Sequence, residues 1–113
     1  MNTIGWGYLG TRDWASSPQM RQASVVRHVS DRFPKAYVVD GNAFSFPDQG
    51  RALVSALRSD GVGVTSSFFP GNPELPHEFQ FDFAHPESAQ VWSATQAFLA
   101  SVAPTPTPAT AGQ

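Results

Sequence analysis

Three side chains stand out for the chemistry they could carry: His77 and the carboxylates Asp40 and Asp48. An imidazole hydrogen-bonded to a carboxylate is held in one tautomer and stabilised when it takes up a proton, which is the orienting half of a Ser-His-Asp triad. Both carboxylates precede the histidine in the chain, in keeping with the order nucleophile, acid, histidine. Each has a plainer reading. Asp48 fits a helix N-terminal carboxylate favoured by the helix dipole, and Asp40 fits a turn former bonding through its own side chain. His28 and His85 lie in polar contexts at spacings that make no metal site with His77, so no metal and no cofactor is expected. Ser66 and Ser67 fall inside a β-branched and aromatic run and read as packing or locally bonded residues, not as nucleophiles.

For a histidine and an aspartate so far apart to meet, two loops must lie side by side. Residues 36–40, AYVVD, form a short apolar run closed by Asp40-Gly41-Asn42, the pattern of a buried strand that stops in a loop. From Pro47-Asp48-Gln49 an amphipathic helix follows over about 48–60, with Ala52, Leu53, Ala56 and Leu57 on one side and Arg51, Ser55 and Arg58 on the other. Asp60-Gly61 ends it. Gly61-Val62-Gly63 and VTSSFF then predict a strand over about 62–69. Strand, helix, strand is a βαβ unit, hence a parallel pair with a right-handed crossover. Functional groups in open α/β sheets gather beyond the carboxyl ends of the strands, here in the loops 41–48 and 70–77.

A last helix over about 87–102, opened by Pro86-Glu87, presents Val91, Trp92, Thr95, Phe98, Leu99 and Val102 on one broad face that should be buried. Residues 1–34 hold Trp6, Tyr8 and Trp14 and several arginines without a sustained period, apart from a short helix near 18–26 with Ser17 as N-cap and Pro18 at its first position. This segment reads as irregular and as packing on something else, or as a cap over its own core. Residues 103–113, APTPTPATAGQ, offer no core-forming side chain and are expected to be an extended, solvated Pro/Thr tail.

The chain has 113 residues, the size of one small domain, with no internal repeat. Apolar residues make up 41% and charged residues 14%, enough for a core and too few charges for a disordered chain. A net charge of -2 and a pI near 5.8 provide no positive field for nucleic acid or an anionic membrane. There is no cysteine, which excludes disulfides, thiol nucleophiles and thiolate metal sites. No export signal or spanning run is visible, so a cytoplasmic location is expected. Two parallel strands and two helices cannot cover both faces of a sheet of ordinary width. The missing neighbours are expected from another chain: a homo-oligomer mate or the upstream part of a longer parent.

The stretch VVDGNAFSFPDQGRALVSALRSDGVGVTSSFFPGNPELPHEFQFDF resembles the C-terminal part of an α/β-hydrolase of the esterase/lipase type, close to the hormone-sensitive-lipase-like and carboxylesterase branch. In that branch a penultimate strand ends in a G-x-x-D-P-L-x-D loop, then come a helix, a G-V-x-V strand and the catalytic histidine before an aromatic residue. Gly41, Asp48, Gly61-Val62-Gly63-Val64, His77 and Phe79 match that layout, and AQVWSATQAFLASV is similar to the closing helix. The resemblance spans about residues 10–102. It implies an α/β fold in which 35–102 is the C-terminal βαβα portion, 1–34 is cap-proximal, and the two helices lie on opposite faces of the sheet. It further implies a serine ester hydrolase acting on a small ester in the complete enzyme, with His77 in the catalytic position.

Two departures limit what this chain would do by itself. None of its twelve serines lies in a G-x-S-x-G, so the nucleophile elbow and its oxyanion-hole neighbour are absent. The family's acid position is occupied by Phe44, whose ring cannot accept the histidine's N–H, leaving Asp40, Asp48 or an acid from another strand of the parent. The expectation is a histidine-bearing part of an esterase that is inactive alone. The alternative, from a different class, is a non-catalytic module that pairs through its strand edge and aromatic surface.

Overall fold

The computed structural model describes residues 2–104, so nearly all of the tail expected over 103–113 lies outside the described residues. The elements in chain order are α1 (Asn2–Leu9), α2 (Pro18–Ala23), β1 (Ala36–Asp40), α3 (Pro47–Ser59), β2 (Val64–Phe68) and α4 (Pro86–Val102), with short 3-10 turns at Trp14–Ser16, Val25–His28 and Phe79–Phe81. The architecture is α/β: helices around a small two-stranded parallel sheet.

β1 and β2 pair in parallel from Ala36 opposite Val64 to Asp40 opposite Phe68. The second strand is shorter than the expected 62–69. Val62 belongs to the end of α3 instead, because its N–H donates to the Leu57 carbonyl at 2.9 Å while Gly61 takes a left-handed φ of 75°. A glycine there closes the helix without the penalty a side chain would bring. At the other end Phe69 leaves the ladder, and its ring meets Phe79 edge-on at 5.4 Å.

Successive strand residues point to opposite faces, and the helices divide accordingly. α3 lies over Val38 and Phe68: Gly50 sits directly against both side chains, and the Arg51 guanidinium stands 4.7 Å from the centre of the Phe68 ring. α4 lies over Tyr37 and Val39, with the Tyr37 and Phe98 rings 5.9 Å apart. The two helices therefore cover opposite faces. In α3, Val54 and Leu57 are buried, Leu53 and Ala56 half-buried, and Ala52 exposed.

Three expectations need correcting. α4 was expected to bury a broad apolar face, yet only Val91 of that set is buried; Trp92, Leu99 and Val102 are exposed. A two-stranded sheet is too narrow to cover a 17-residue helix, so the stripe overhangs it. The N-terminal segment is more regular than its pattern suggests, since Asn2–Leu9 is helical. Gly5 and Gly7 weaken the helical signal locally, but Gly5 is where the Trp14 indole docks, and a Cβ there would come within 2.5 Å of that ring. The helix expected near 18–26 ends at Ala23 and continues as the separate 3-10 turn Val25–His28. Its start is as expected: the Ser17 hydroxyl accepts the Met20 N–H at 3.1 Å.

Among the described residues the buried apolar set comprises Val54, Leu57, Val62, Leu75, Phe79 and Val91, small for a chain of this length. No described helix is long and apolar enough to cross a membrane.

Candidate functional site

The sheet ends in two loops that are bound to each other. Asp40 is the last residue of β1, and its carboxylate turns back over the strand end. Oδ1 accepts the Gly41 N–H at 2.8 Å and faces His77 Nδ1 at 3.0 Å, while Oδ2 accepts the Phe46 N–H at 2.7 Å. The carboxylate is buried, whereas the His77 side chain is 52% exposed. Among the described residues Nε2 of His77 carries no hydrogen bond, so the ring is held on one side and open on the other. With Nδ1 as the donor, Nε2 presents its lone pair outward.

Burial of Asp40 favours its neutral form, but this is outweighed by the bonds from His77, Phe46 N–H and Gly41 N–H and by the nearby imidazolium charge. The carboxyl consequently titrates below its ordinary value of 3.8. These bonds favour the anion, which is the state an orienting acid requires.

The partner of His77 is thus Asp40. Asp48 lies exposed in the first turn of α3, with no bond to His77, where the helix dipole favours a carboxylate. Phe44 is 94% exposed and adopts a left-handed φ of 51°, so its ring projects from the loop. His85 approaches Asp82 at 3.8 Å on the exposed start of α4, and His28 Nε2 lies 2.8 Å from the Gln22 carbonyl. Among the described residues no cluster of three metal-ligating side chains occurs. Ser67 shares a hydrogen bond with Tyr37 across the sheet at 2.9 Å.

Two participants were not singled out from the sequence. Phe46 places its ring edge-on to the imidazole at 5.5 Å and, with Val25, Val26 and Leu53, walls a cleft of about 410 Å³ beside the Asp40–His77 pair. Ser24 lies on the wall of the same cleft and is not bonded to His77. Asn42 ties the loops together. Its Nδ2 donates to the carbonyls of Pro70 at 2.6 Å and Pro73 at 3.0 Å, and its Oδ1 accepts the Leu75 N–H at 2.8 Å. The Leu75 carbonyl in turn accepts the N–H groups of Asn42 and Ala43, and Ala43 and Pro76 form a parallel bridge beyond the strand ends. Gly41 allows this closeness, since a Cβ there would collide with the carbonyl oxygens of Leu75 and Pro76. The sequence signal was present in Asp40-Gly41-Asn42, but it reads equally as a turn.

No protein-family model matches this chain, and no curated protein or solved structure does either.

Proposed function

We propose that residues 35–102 are the C-terminal βαβα portion of an α/β-hydrolase of the esterase/lipase type, carrying the histidine and acid of a triad whose nucleophile is supplied by other polypeptide. The observation that supports this most is the Asp40–His77 bond of 3.0 Å, made at the carboxyl ends of two adjacent parallel strands with the far side of the imidazole exposed. Asp40 stands at the strand end, four positions before the family's acid position, and replaces the acid that Phe44 cannot supply.

In the assembled enzyme the chemistry of these residues is that of a base and its orienting acid. Asp40 accepts the Nδ1 proton and keeps the Nε2 lone pair free. Nε2 takes the proton of a serine hydroxyl as that oxygen bonds to the ester carbonyl carbon, and Asp40 stabilises the imidazolium that results. Nε2–H then returns the proton to the departing alkoxide. The nucleophile and oxyanion hole supply the remaining rate enhancement, so the chain alone is expected to be inactive.

The test exposes the full chain to a fluorophosphonate probe and p-nitrophenyl acetate, alone and mixed with the polypeptide encoded immediately upstream. Alone it should neither label nor hydrolyse. With a partner bearing G-x-S-x-G, hydrolysis should appear and fall by about 10⁶-fold in His77→Ala, the size of effect seen on removing a triad histidine. Stoichiometric labelling of the chain by itself, at Ser24 or any other serine, would overturn the proposal, as would hydrolysis by the mixture that is indifferent to His77→Ala.

A second reading, a non-catalytic interaction module, draws on Phe81, Phe83 and Trp92, which are 75%, 66% and 54% exposed beside a two-stranded sheet. Binding to a partner that survives His77→Ala without any hydrolysis would favour it.

A further inference from the structure

We propose that Asn42 is the positioning residue of the Asp40–His77 pair, its side-chain amide holding the loop that bears His77 in the register at which Nδ1 reaches Asp40. The inference deepens the hydrolase reading and rests on it, because the pairing has a chemical purpose only if His77 acts as a base.

Residues 70–77 contain three prolines, and this segment is tied to residues 42–43 by the backbone bonds to the Leu75 carbonyl and, at three further backbone groups, by one side chain. Asn42 satisfies two of its carbonyls, at Pro70 and Pro73, and the N–H of Leu75, using both amide hydrogens and the amide oxygen. Few residue types can do this: an amide offers two donors and an acceptor on one short stem, whereas a carboxylate cannot donate and a hydroxyl has one hydrogen. Leu75 is fully buried, so its N–H, if released, would have to find another partner away from water. Asn42 is two residues after Asp40, and Leu75 is two before His77. The clamp therefore acts at equal spacing on the acid's side and on the histidine's side. His77 itself is followed by Glu78 in a left-handed conformation (φ 64°) and then by the buried Phe79, which anchors the loop's far end. Between Asn42 and Phe79 the loop is held at both ends, and the imidazole projects from the fixed stretch. Asn42 touches neither imidazole nor carboxylate; its action on the pair passes through the backbone.

The experiment uses the full chain labelled with ¹⁵N in the histidine rings, and reads the tautomer of neutral His77 together with exchange protection of the Nδ1–H proton. A ring bonded to Asp40 holds its proton on Nδ1, while a released ring is free to place it on Nε2. In Asn42→Ala and Asn42→Asp the ratio of Nδ1–H to Nε2–H forms should fall by about tenfold, the factor expected from losing the equivalent of one net hydrogen bond that favours the docked loop. Far-UV circular dichroism should show the helices retained. Asn42→Asp keeps the acceptor for Leu75 N–H and is decisive if Asn42→Ala does not fold. Asp40→Ala, which leaves no acceptor for Nδ1–H at this position, separates the two levels of the proposal. A wild-type tautomer ratio in both Asn42 variants, with Asp40→Ala altering it, overturns the role of Asn42 and leaves the pair intact. A ratio that Asp40→Ala does not alter overturns the pair itself, and with it the hydrolase reading.

Discussion

Asp40 positions Phe46 as well as His77: its Oδ2 accepts the Phe46 N–H at 2.7 Å, and the Phe46 ring then meets the imidazole edge-on at 5.5 Å. One carboxylate thus sets both the base and the apolar wall beside it. Each of its oxygens is engaged, Oδ1 by Gly41 N–H and His77 and Oδ2 by Phe46 N–H. The loop 41–46 is folded around the acid, so protonating or replacing Asp40 should loosen the loop together with the histidine.

Stability should depend on pH through Asp40. Its carboxyl titrates below the ordinary 3.8, so the folded state binds this proton less readily than the unfolded chain does. The resulting stabilisation is fully present above the unfolded-state value and is lost as pH falls through the lower folded-state value. Asp40→Asn should remove this part of the acid dependence and, by leaving one backbone N–H without its acceptor, destabilise the protein by about 1–3 kcal/mol near neutrality. Urea unfolding of both proteins across the acid range measures it; parallel stability curves would contradict the assignment.

Gly41→Ala should separate the two loops. The added Cβ meets backbone carbonyls at Leu75 and Pro76, which cannot swing away as a flexible side chain would. We expect destabilisation of about 1–3 kcal/mol, in the range of overpacking in tight sites, along with loss of the Nδ1–H protection of His77. Gly63→Ala is the control: its Cβ would meet only the flexible Lys35 side chain, at 3.4 Å. Equal effects of the two substitutions would remove the special standing of Gly41.

Leu57 and Leu75 are both fully buried, one beneath the βαβ unit and the other beneath the His77 loop with Phe79 and Val91. Each Leu→Ala change should cost about 2–5 kcal/mol. Only Leu75→Ala should also disturb the His77 tautomer, because its backbone is clasped by Asn42. Chemical denaturation and histidine NMR on the two variants distinguish a general loss of packing from a local one.

Isolated, the chain should self-associate. Its buried apolar set is small, and Phe81, Phe83, Trp92 and Leu99 are exposed in a domain size that ordinarily has only about 5–15 kcal/mol of stability. Light scattering should show species larger than a monomer, reduced by the double change Phe81→Ser and Trp92→Ser. A monodisperse monomer melting cooperatively above about 55 °C, inside the usual range of complete mesophile domains, would contradict this.

The elements that carry the site were legible in the residue pattern because their causes are local. AYVVD is β-branched, apolar and closed by Asp-Gly; Pro47 and Gly61 bracket an amphipathic run; Ser17-Pro18 opens a helix by a bond within one turn. Such signals need no distant partner. What the local pattern left open was set by contacts between segments remote in the chain. Whether Asp40 or Asp48 would meet His77 depended on how tightly the loops 41–48 and 70–77 approach, which Gly41 permits and Asn42 enforces. Whether Asn2–Leu9 would be helical despite Gly5 depended on Trp14 docking over that glycine. Whether Trp92 and Leu99 would be buried depended on the width of the sheet beneath α4. Propensity and periodicity act over a few residues, whereas side-chain pairing and burial follow from chain packing, and only the tertiary structure decided those.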